Sequence, residues 1–333
     1  MTLRFALLGA GRIGKVHAGA IAANPDATLV AAADAIGDAA KAIAGLHGCD
    51  VRTINAIAAA TDVDAVVICT PTTTHADLIE QFARAGKAIF CEKPIDLNVA
   101  RVVACLKVVA ETKARLMVGF NRRFDPHFAA VRAAIDAGKI GAVEQVVITS
   151  RDPGAPPPAY IKQSGGIFRD MTIHDFDMAR FLLGEEIETV MATASVLVDP
   201  EIGKLGDADS VSLILTTKSG KQCLISNSRR ATYGYDQRIE VHGAKGMVSA
   251  ENQRPVSIEI ANGAGYTRPP LHDFFMTRYT QAYAAEIAGF IASVTQGAVM
   301  APDGTDGLIA LVLAEAALKS VAQGRKVNVS EIL

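Results

Sequence analysis

The chain has 333 residues with 33 Lys+Arg against 35 Asp+Glu, a formal charge of −2, and half of its residues are hydrophobic. At about 150 residues per domain this length predicts two domains, each able to bury a core. The near-neutral balance and pI of about 6.4 exclude the basic footprint of a nucleic-acid binder, and the apolar content excludes a disordered chain.

The first 120 residues alternate two periods. Short apolar runs at 3–8, 27–33, 65–68, 88–91 and 116–120 read as strands, and several are apolar throughout, as strands covered on both faces must be. Between them, 15–23, 39–44, 75–85 and 99–112 carry helical spacing. This alternation predicts a parallel α/β sheet with right-handed crossovers.

The pattern changes after Gly119. A helix is predicted over 126–137, a strand over 143–150, a Pro-rich loop over 153–158 and one helix carrying both Asp170 and His174. Strand-like runs follow at 189–197, 210–216, 222–226, 238–242, 247–249 and 257–260, separated by turn signals that suit an antiparallel meander. Helices at 274–295 and 305–323 close the chain. The predicted fold is an N-terminal Rossmann domain over 1–121 and a C-terminal α+β domain over 122–333, with a large open, mostly antiparallel sheet.

Five cysteines form no C-x-x-C pair and mostly sit in apolar runs, where they act as small buried hydrophobes in a reducing compartment. The apolar stretch 308–321 is interrupted by Glu315 and Lys319 and is too short to span a bilayer. The expectation is a soluble, cytoplasmic protein with neither membrane nor nucleic-acid partners.

Gly9-Ala10-Gly11-Arg12-Ile13-Gly14 follows the first strand and opens the first helix. Its glycines permit a tight turn, close approach of a pyrophosphate, and close helix–strand packing, while the helix N-terminus offers unpaired N–H donors. Asp34, twenty residues beyond Gly14 at the end of the second strand, can accept hydrogen bonds from an adenosine ribose. The bland alternative is a glycine turn followed by a surface aspartate. A carboxylate there repels a 2′-phosphate and Ala35 offers no guanidinium, so NAD is predicted over NADP.

Ligands of a doubly wound sheet bind at the carboxyl ends of its strands. There the chain places Thr70-Pro71-Thr72-Thr73-Thr74-His75, then Glu92-Lys93-Pro94, then Gly119-Phe120-Asn121-Arg122-Arg123. Lys93 could face the cofactor cleft or be an ordinary exposed lysine in a turn. Asp170 and His174 are four residues apart, which on a helix puts both on one face. Histidine exchanges protons near neutrality, and a carboxylate can fix its tautomer. The structural alternative is a surface pair or a helix cap. No third ligand stands at local metal-binding spacing, so no metal is expected.

The glycine loop, the Glu92-Lys93-Pro94 triplet, Gly119 to Arg123 and the Asp170/His174 pair resemble, in order and spacing, the Gfo/Idh/MocA oxidoreductases. The segment Gly166-Ile167-Phe168-Arg169-Asp170-Met171-Thr172-Ile173-His174-Asp175 is most similar to the inositol 2-dehydrogenase branch. The resemblance runs through nearly the whole chain. It implies NAD-linked oxidation of a ring hydroxyl with Lys93, Asp170 and His174 as the catalytic trio, a cis peptide before Pro94, and an open sheet serving a homotetramer. It also implies NAD contacts from Gly9, Gly11, Arg12, Ile13, Gly14, Asp34, Thr70, Pro71, His75, Glu92 and Lys93. Pro71 could instead only shape its turn, and His75 only start a helix. Substrate contacts carry over to Asn121, Arg122, Asp152 and Tyr235, with Tyr233 as the alternative to Tyr235.

The substrate implied is myo-inositol, oxidised to the 2-keto-inositol. scyllo-Inositol or an aldopyranose oxidised at its anomeric carbon are the alternatives. No Tyr is followed four residues later by Lys, so the short-chain dehydrogenase arrangement is missing. A non-catalytic NAD-binding sensor on the same fold is the rival of a different class.

Overall fold

Residues that are apolar on both sides of a strand can only be satisfied inside a two-sided layer, and that is where the N-terminal runs lie. In the computed structural model, which describes residues 2–333, β1 (Leu3–Leu8), β2 (Ala27–Ala33), β3 (Asp50–Val51), β4 (Ala65–Ile68), β5 (Ala88–Cys91) and β6 (Leu116–Val118) form one parallel sheet. Its order is β3-β2-β1-β4-β5-β6. The crossovers are α1 (Arg12–Ala22), α2 (Gly37–His47), α3 (Ile54–Ala59), α4 (His75–Arg84) and α5 (Val99–Thr112). Strand β3 was not predicted from the sequence, because two half-exposed residues carry no periodicity.

The strand ends are in register: Leu8 pairs with Ala33 and Ile68, Ile68 with Cys91, and Cys91 with Val118. Every residue just beyond those positions therefore emerges along one edge of the sheet, which reverses its winding between β1 and β4.

The second sheet runs through β7 (Val143–Arg151), β8 (Ile187–Ser195), β9 (Ser210–Thr217), β10 (Gln222–Ser228), β11 (Asp236–Gly243) and β12 (Gly246–Ala250), with the short β13 (Ile260–Asn262) and β14 (Gly265–Thr267) forming a separate hairpin. A last strand, β15 (Val327–Asn328), completes the order β12-β11-β7-β10-β9-β8-β15. This is not the simple meander expected. β7 inserts between β11 and β10 and runs parallel to β10, while the other pairs are antiparallel. The expected strand over 257–260 is irregular until Ile260. Its alternating Val256, Ile258 and Ile260 are about half exposed, so the pattern marks no buried face.

The compact unit that holds this sheet also contains α6 (Pro126–Asp136), α7 (Pro158–Ser164), α8 (Ile167–Asp170), α9 (Ile173–Leu183), α10 (Pro200–Lys204) and α11 (Phe275–Arg278). The chain closes with α12 (Thr280–Gln296) and α13 (Gly304–Gln323). The expected helix 274–295 is thus broken at Tyr279, whose backbone leaves the helical region (φ −108, ψ 20).

Two compact units result: residues up to Phe124 with Thr280–Leu311, and Asp125–Tyr279 with Val312–Leu333. The expected boundary after residue 121 therefore misses a returning segment. Its cause is packing: Ile287, Phe290 and Ile291 of α12 join Phe5, Leu7, Val67, Phe90 and Met117 in one core. The Phe290 ring stands 5.9 Å from both Phe5 and Phe90. Among the described residues, no helix is long and apolar enough to cross a membrane.

Candidate functional site

In the first unit the candidate cofactor residues all follow the aligned strand ends. Gly9 takes φ +93, and a Cβ there would stand 2.5 Å from the carbonyl oxygen of Cys69. A Cβ on Gly14 would stand 2.0 Å from Gly9 O, so only glycine lets α1 start against β1. Gly11 differs: a Cβ there would meet nothing within 4 Å. Gly11 is also the N-cap of α1, and no side chain caps that helix. Its first-turn N–H groups, those of Ile13 and Gly14 among them, have no acceptor within the helix, and with the open space at Gly11 this fits a pyrophosphate.

Asp34 follows β2 directly. Its Oδ2 accepts Ala10 N–H at 2.6 Å and its Oδ1 accepts Ile36 N–H at 2.7 Å. Each oxygen keeps a lone pair for a ribose hydroxyl.

Past β4, Pro71 O accepts from both the N–H and the hydroxyl of Thr74, and the Thr70 and Thr74 hydroxyls share a hydrogen bond of 2.7 Å. His75 is only 2% exposed, with Nδ1 2.8 Å from Pro94 O and Nε2 2.7 Å from Thr70 O. It starts α4, as one sequence alternative held, and it also clips the two loops that follow β4 and β5. Burial lowers its pKa, so the neutral ring has one proton to offer two carbonyl oxygens.

Past β5, Lys93–Pro94 is cis, as the resemblance implied. The Glu92 side chain turns inward: Oε1 contacts His17 Nε2 at 2.6 Å, and Oε2 accepts Lys93 N–H at 3.3 Å. Past β6, Asn121 and Arg122 are both buried in a 3-10 turn, and the Asn121 Nδ2 donor has no hydrogen-bond partner among the described residues. A buried orphan donor at the edge where ligands bind is the mark of a group awaiting an acceptor.

The second unit gathers its candidates at one sheet end. Arg151, the last residue of β7, pairs with Ser228 of β10 and Asp236 of β11, so Asp152 and Tyr235 lie just outside neighbouring strand ends. The start of α9 is bound to that same end. Asp175 is fully buried and accepts from Ser150 Oγ at 2.7 Å and Asn227 Nδ2 at 2.8 Å, while Thr172 Oγ1 donates to Asn227 Oδ1 at 2.7 Å. His174 lies in the chain between Thr172 and Asp175, the two residues of α9's start that this network anchors.

Asp170 and His174 do not share a helix. α8 ends at Asp170, Met171 and Thr172 form a turn, and α9 begins at Ile173. The i,i+4 spacing therefore does not put the two side chains on one helix face, because Thr172 N–H reaches back to Ile167 O and interrupts the ladder. Asp170 Oδ1 accepts from the Tyr160 hydroxyl at 2.9 Å.

Tyr235 is buried, its ring edge-on to Phe274 and Tyr279. Tyr233 is half exposed, its hydroxyl donating to Asp236 Oδ2 and accepting from Arg151.

Sequence reasoning passed over His17, Tyr160, Asp175 and Asn227. For His17 a signal existed: Gly14, His17, Ala18 and Ile21 are the buried face of α1, and a histidine on that i, i+3, i+4, i+7 stripe is an internal group. Asn227 and Asp175 gave none, since their pairing spans 52 residues.

Residues 3–120 match the family model described as "Oxidoreductase family, NAD-binding Rossmann fold", and residues 128–249 match the GFO/IDH/MocA C-terminal domain. The chain is 74% identical over 330 residues to an inositol 2-dehydrogenase of Rhizobium meliloti strain 1021, covering 99% of this chain and all of that one. It is 43% identical over 333 residues to a myo-inositol 2-dehydrogenase of Thermotoga maritima, with 99% and 100% covered. The solved structure of a scyllo-inositol dehydrogenase from Lactobacillus casei with bound NAD(H) and scyllo-inositol superposes with a TM-score of 0.92 at 29% identity, covering 99% of this chain and 100% of that one. The glycine loop before an uncapped helix, the acid after β2 and these end-to-end matches agree: this chain belongs to the Gfo/Idh/MocA family of NAD-dependent oxidoreductases.

Proposed function

We propose that the protein oxidises the 2-hydroxyl of myo-inositol to the ketone, with Lys93, Asp170 and His174 as the catalytic groups. The observation that carries this reading is the end-to-end 74% identity to an inositol 2-dehydrogenase, in a chain that has all three residues beside ordered strand ends or helix starts. NAD supplies the hydride acceptor when bound, held by the α1 N-terminus, by Asp34 and by the loops after β4 and β5.

The remaining chemistry is positioning and electrostatics. His174 takes the proton of the reacting hydroxyl. Lys93 Nζ donates a hydrogen bond to the same oxygen and stabilises its alkoxide character. Asp170, its carboxylate engaged by Tyr160, orients the imidazole or a neighbouring substrate hydroxyl. Asn121, Arg122, Asp152 and Tyr235 recognise the ring. Asp34 selects NAD over NADP.

We further propose a cytoplasmic homotetramer. Five free thiols suit a reducing compartment. β9 and β11 alternate buried and exposed residues, which leaves one face of the large sheet, with Ile214 on it, for subunit contacts.

The test is reduction of NAD, followed at 340 nm, across a panel of cyclitols and aldoses. The largest kcat/KM is expected with myo-inositol. A larger value for scyllo-inositol or glucose reassigns the substrate, and no turnover with any member leaves the sensor reading.

A further inference from the structure

One titratable cluster lies in the core of the first unit, and the chemistry above gives two of its members, His17 and Glu286, no role. His17 of α1 and Glu286 of α12 are fully buried, and Glu92, just past β5, is 9% exposed. Their side-chain ligand atoms lie within 4.8 Å of one another.

We propose that His17, acting through the Glu92 carboxylate, is a positioning residue that ties the dinucleotide-binding helix α1 to the backbone of Lys93. This rests on the reading that Lys93 acts on the reacting oxygen.

The Glu92 carboxylate is the middle of the tie. One oxygen takes the His17 Nε2–H at 2.6 Å, and the other takes the Lys93 N–H at 3.3 Å. The same α1 supplies the glycine-loop donors six residues earlier at Gly11, so one short chain of hydrogen bonds connects the pyrophosphate end of the site to the lysine.

Neither end can drift. The His17 ring is held edge-on by Phe90 at 5.0 Å and Tyr283 at 5.6 Å. Behind the carboxylate, Gly119 packs so closely that a Cβ there would stand 3.1 Å from it.

Glu286 sets the charge of the cluster. Its Oε1 stands 4.0 Å from His17 Nε2, and both its oxygens are buried with no hydrogen-bond partner among the described residues. Burial first, and the charge of Glu92 second, push its pKa well above the ordinary value. This favours the neutral form of Glu286, and at 2.6 Å against 4.0 Å the Glu92 oxygen is the nearer acceptor for His17 Nε2–H.

A metal ion fits the cluster poorly. Two donors at about 2.0–2.2 Å from a zinc ion stand roughly 3–3.6 Å apart in tetrahedral geometry, whereas His17 and Glu92 are at hydrogen-bond separation.

The experiment compares His17→Phe, which fills the ring space without a donor, with His17→Gln, which restores one, and with Lys93→Ala and the double variant. H17F is expected to lower kcat about 10- to 100-fold, the size of effect that small misplacements produce, while the Kd for NAD from calorimetry stays within about threefold. H17Q should recover most of the lost kcat. In the K93A background H17F should cost less than about twofold more, because the lysine it positions is gone.

A wild-type rate in H17F beside a slow K93A overturns the tie alone, as do multiplying effects in the double variant or one equivalent of metal in the purified protein. A wild-type rate in K93A overturns instead the role given to the lysine. Should H17F not fold, Glu92→Gln tests the same bond from its other end. A tenfold or greater loss in kcat that disappears in the K93A background is expected, about the same cost of misplacement, and a wild-type rate overturns the proposal.

Discussion

The carboxylate of Asp34 accepts the backbone N–H of Ala10 at 2.6 Å, so the acid that ends β2 also braces the glycine loop beside it. One side chain thus fixes the shape of the glycine loop and stands where the proposed function puts the adenosine ribose. Asp34→Ser removes the charge that repels a 2′-phosphate and shortens the brace. The NADP/NAD ratio of kcat/KM is expected to rise about tenfold or more, the worth of one or two charge-assisted hydrogen bonds, and kcat/KM for NAD to fall. An unchanged ratio would remove Asp34 from cofactor choice.

The three glycines of the loop make different demands, and substitution separates them. Gly14→Ala forces a methyl to 2.0 Å from the Gly9 carbonyl, so the start of α1 must move. The variant is expected to lose several degrees of Tm without ligand and to bind NAD at least about tenfold more weakly. Gly11→Ala meets no protein atom within 4 Å. Its Tm without ligand should stay within about 2 °C of the parent, while NAD affinity falls as the methyl enters the space of the pyrophosphate. Equal effects of the two substitutions on Tm would refute this division of roles.

Much of this site was legible in the sequence because its signals are local. A glycine loop between a strand and a helix, an acid at a fixed distance, and residues just past apolar runs each depend on a few neighbours along the chain. What was missed depends on contacts between distant segments. Nothing in a strand pattern says that β7 will lie between β10 and β11. Ile287 and Phe290 look like ordinary core residues of a C-terminal helix, yet they complete the N-terminal core. The separation of Asp170 from His174 into two helices turns on one N–H, that of Thr172, choosing Ile167 O. Periodicity gives no access to that choice.

His174 owes its place to the network beneath it. Asp175, Ser150, Asn227 and Thr172 fix the first turn of α9 with three side-chain hydrogen bonds, so the backbone that carries His174 is anchored by buried neighbours. His174→Ala leaves that network intact. It should lower kcat by about 10²–10⁴-fold, the usual worth of a general base, with the Kd for NAD changed less than about threefold. Steady-state rates with saturating inositol, alongside NAD calorimetry, test this. A loss of less than about tenfold would mean that another group moves the proton.

The buried acid Glu286 makes stability depend on pH in a direction that can be worked out. Facing it are Glu92 beyond β5, His17 on α1 and the Cys69 thiol beyond β4. Its pKa in the folded chain lies well above the ordinary 4.5, chiefly through burial. Below about 4.5 both folded and unfolded chains carry the proton, and the group is neutral in its effect. Above that value the unfolded chain ionises and gains hydration, while the folded chain keeps its proton. Folded stability therefore falls by up to about 1.4 kcal/mol per pH unit until the folded pKa is reached. Glu286→Gln keeps the shape of the neutral acid and abolishes its titration. The Tm difference between E286Q and the parent, measured by calorimetry at rising pH from pH 5, is expected to grow in favour of the variant and to level off once the folded pKa is passed. The other titrating groups, common to both proteins, largely cancel in that difference. A gap that stays constant with pH would show that Glu286 is already ionised in the folded chain, and that His17 is shared between two anions.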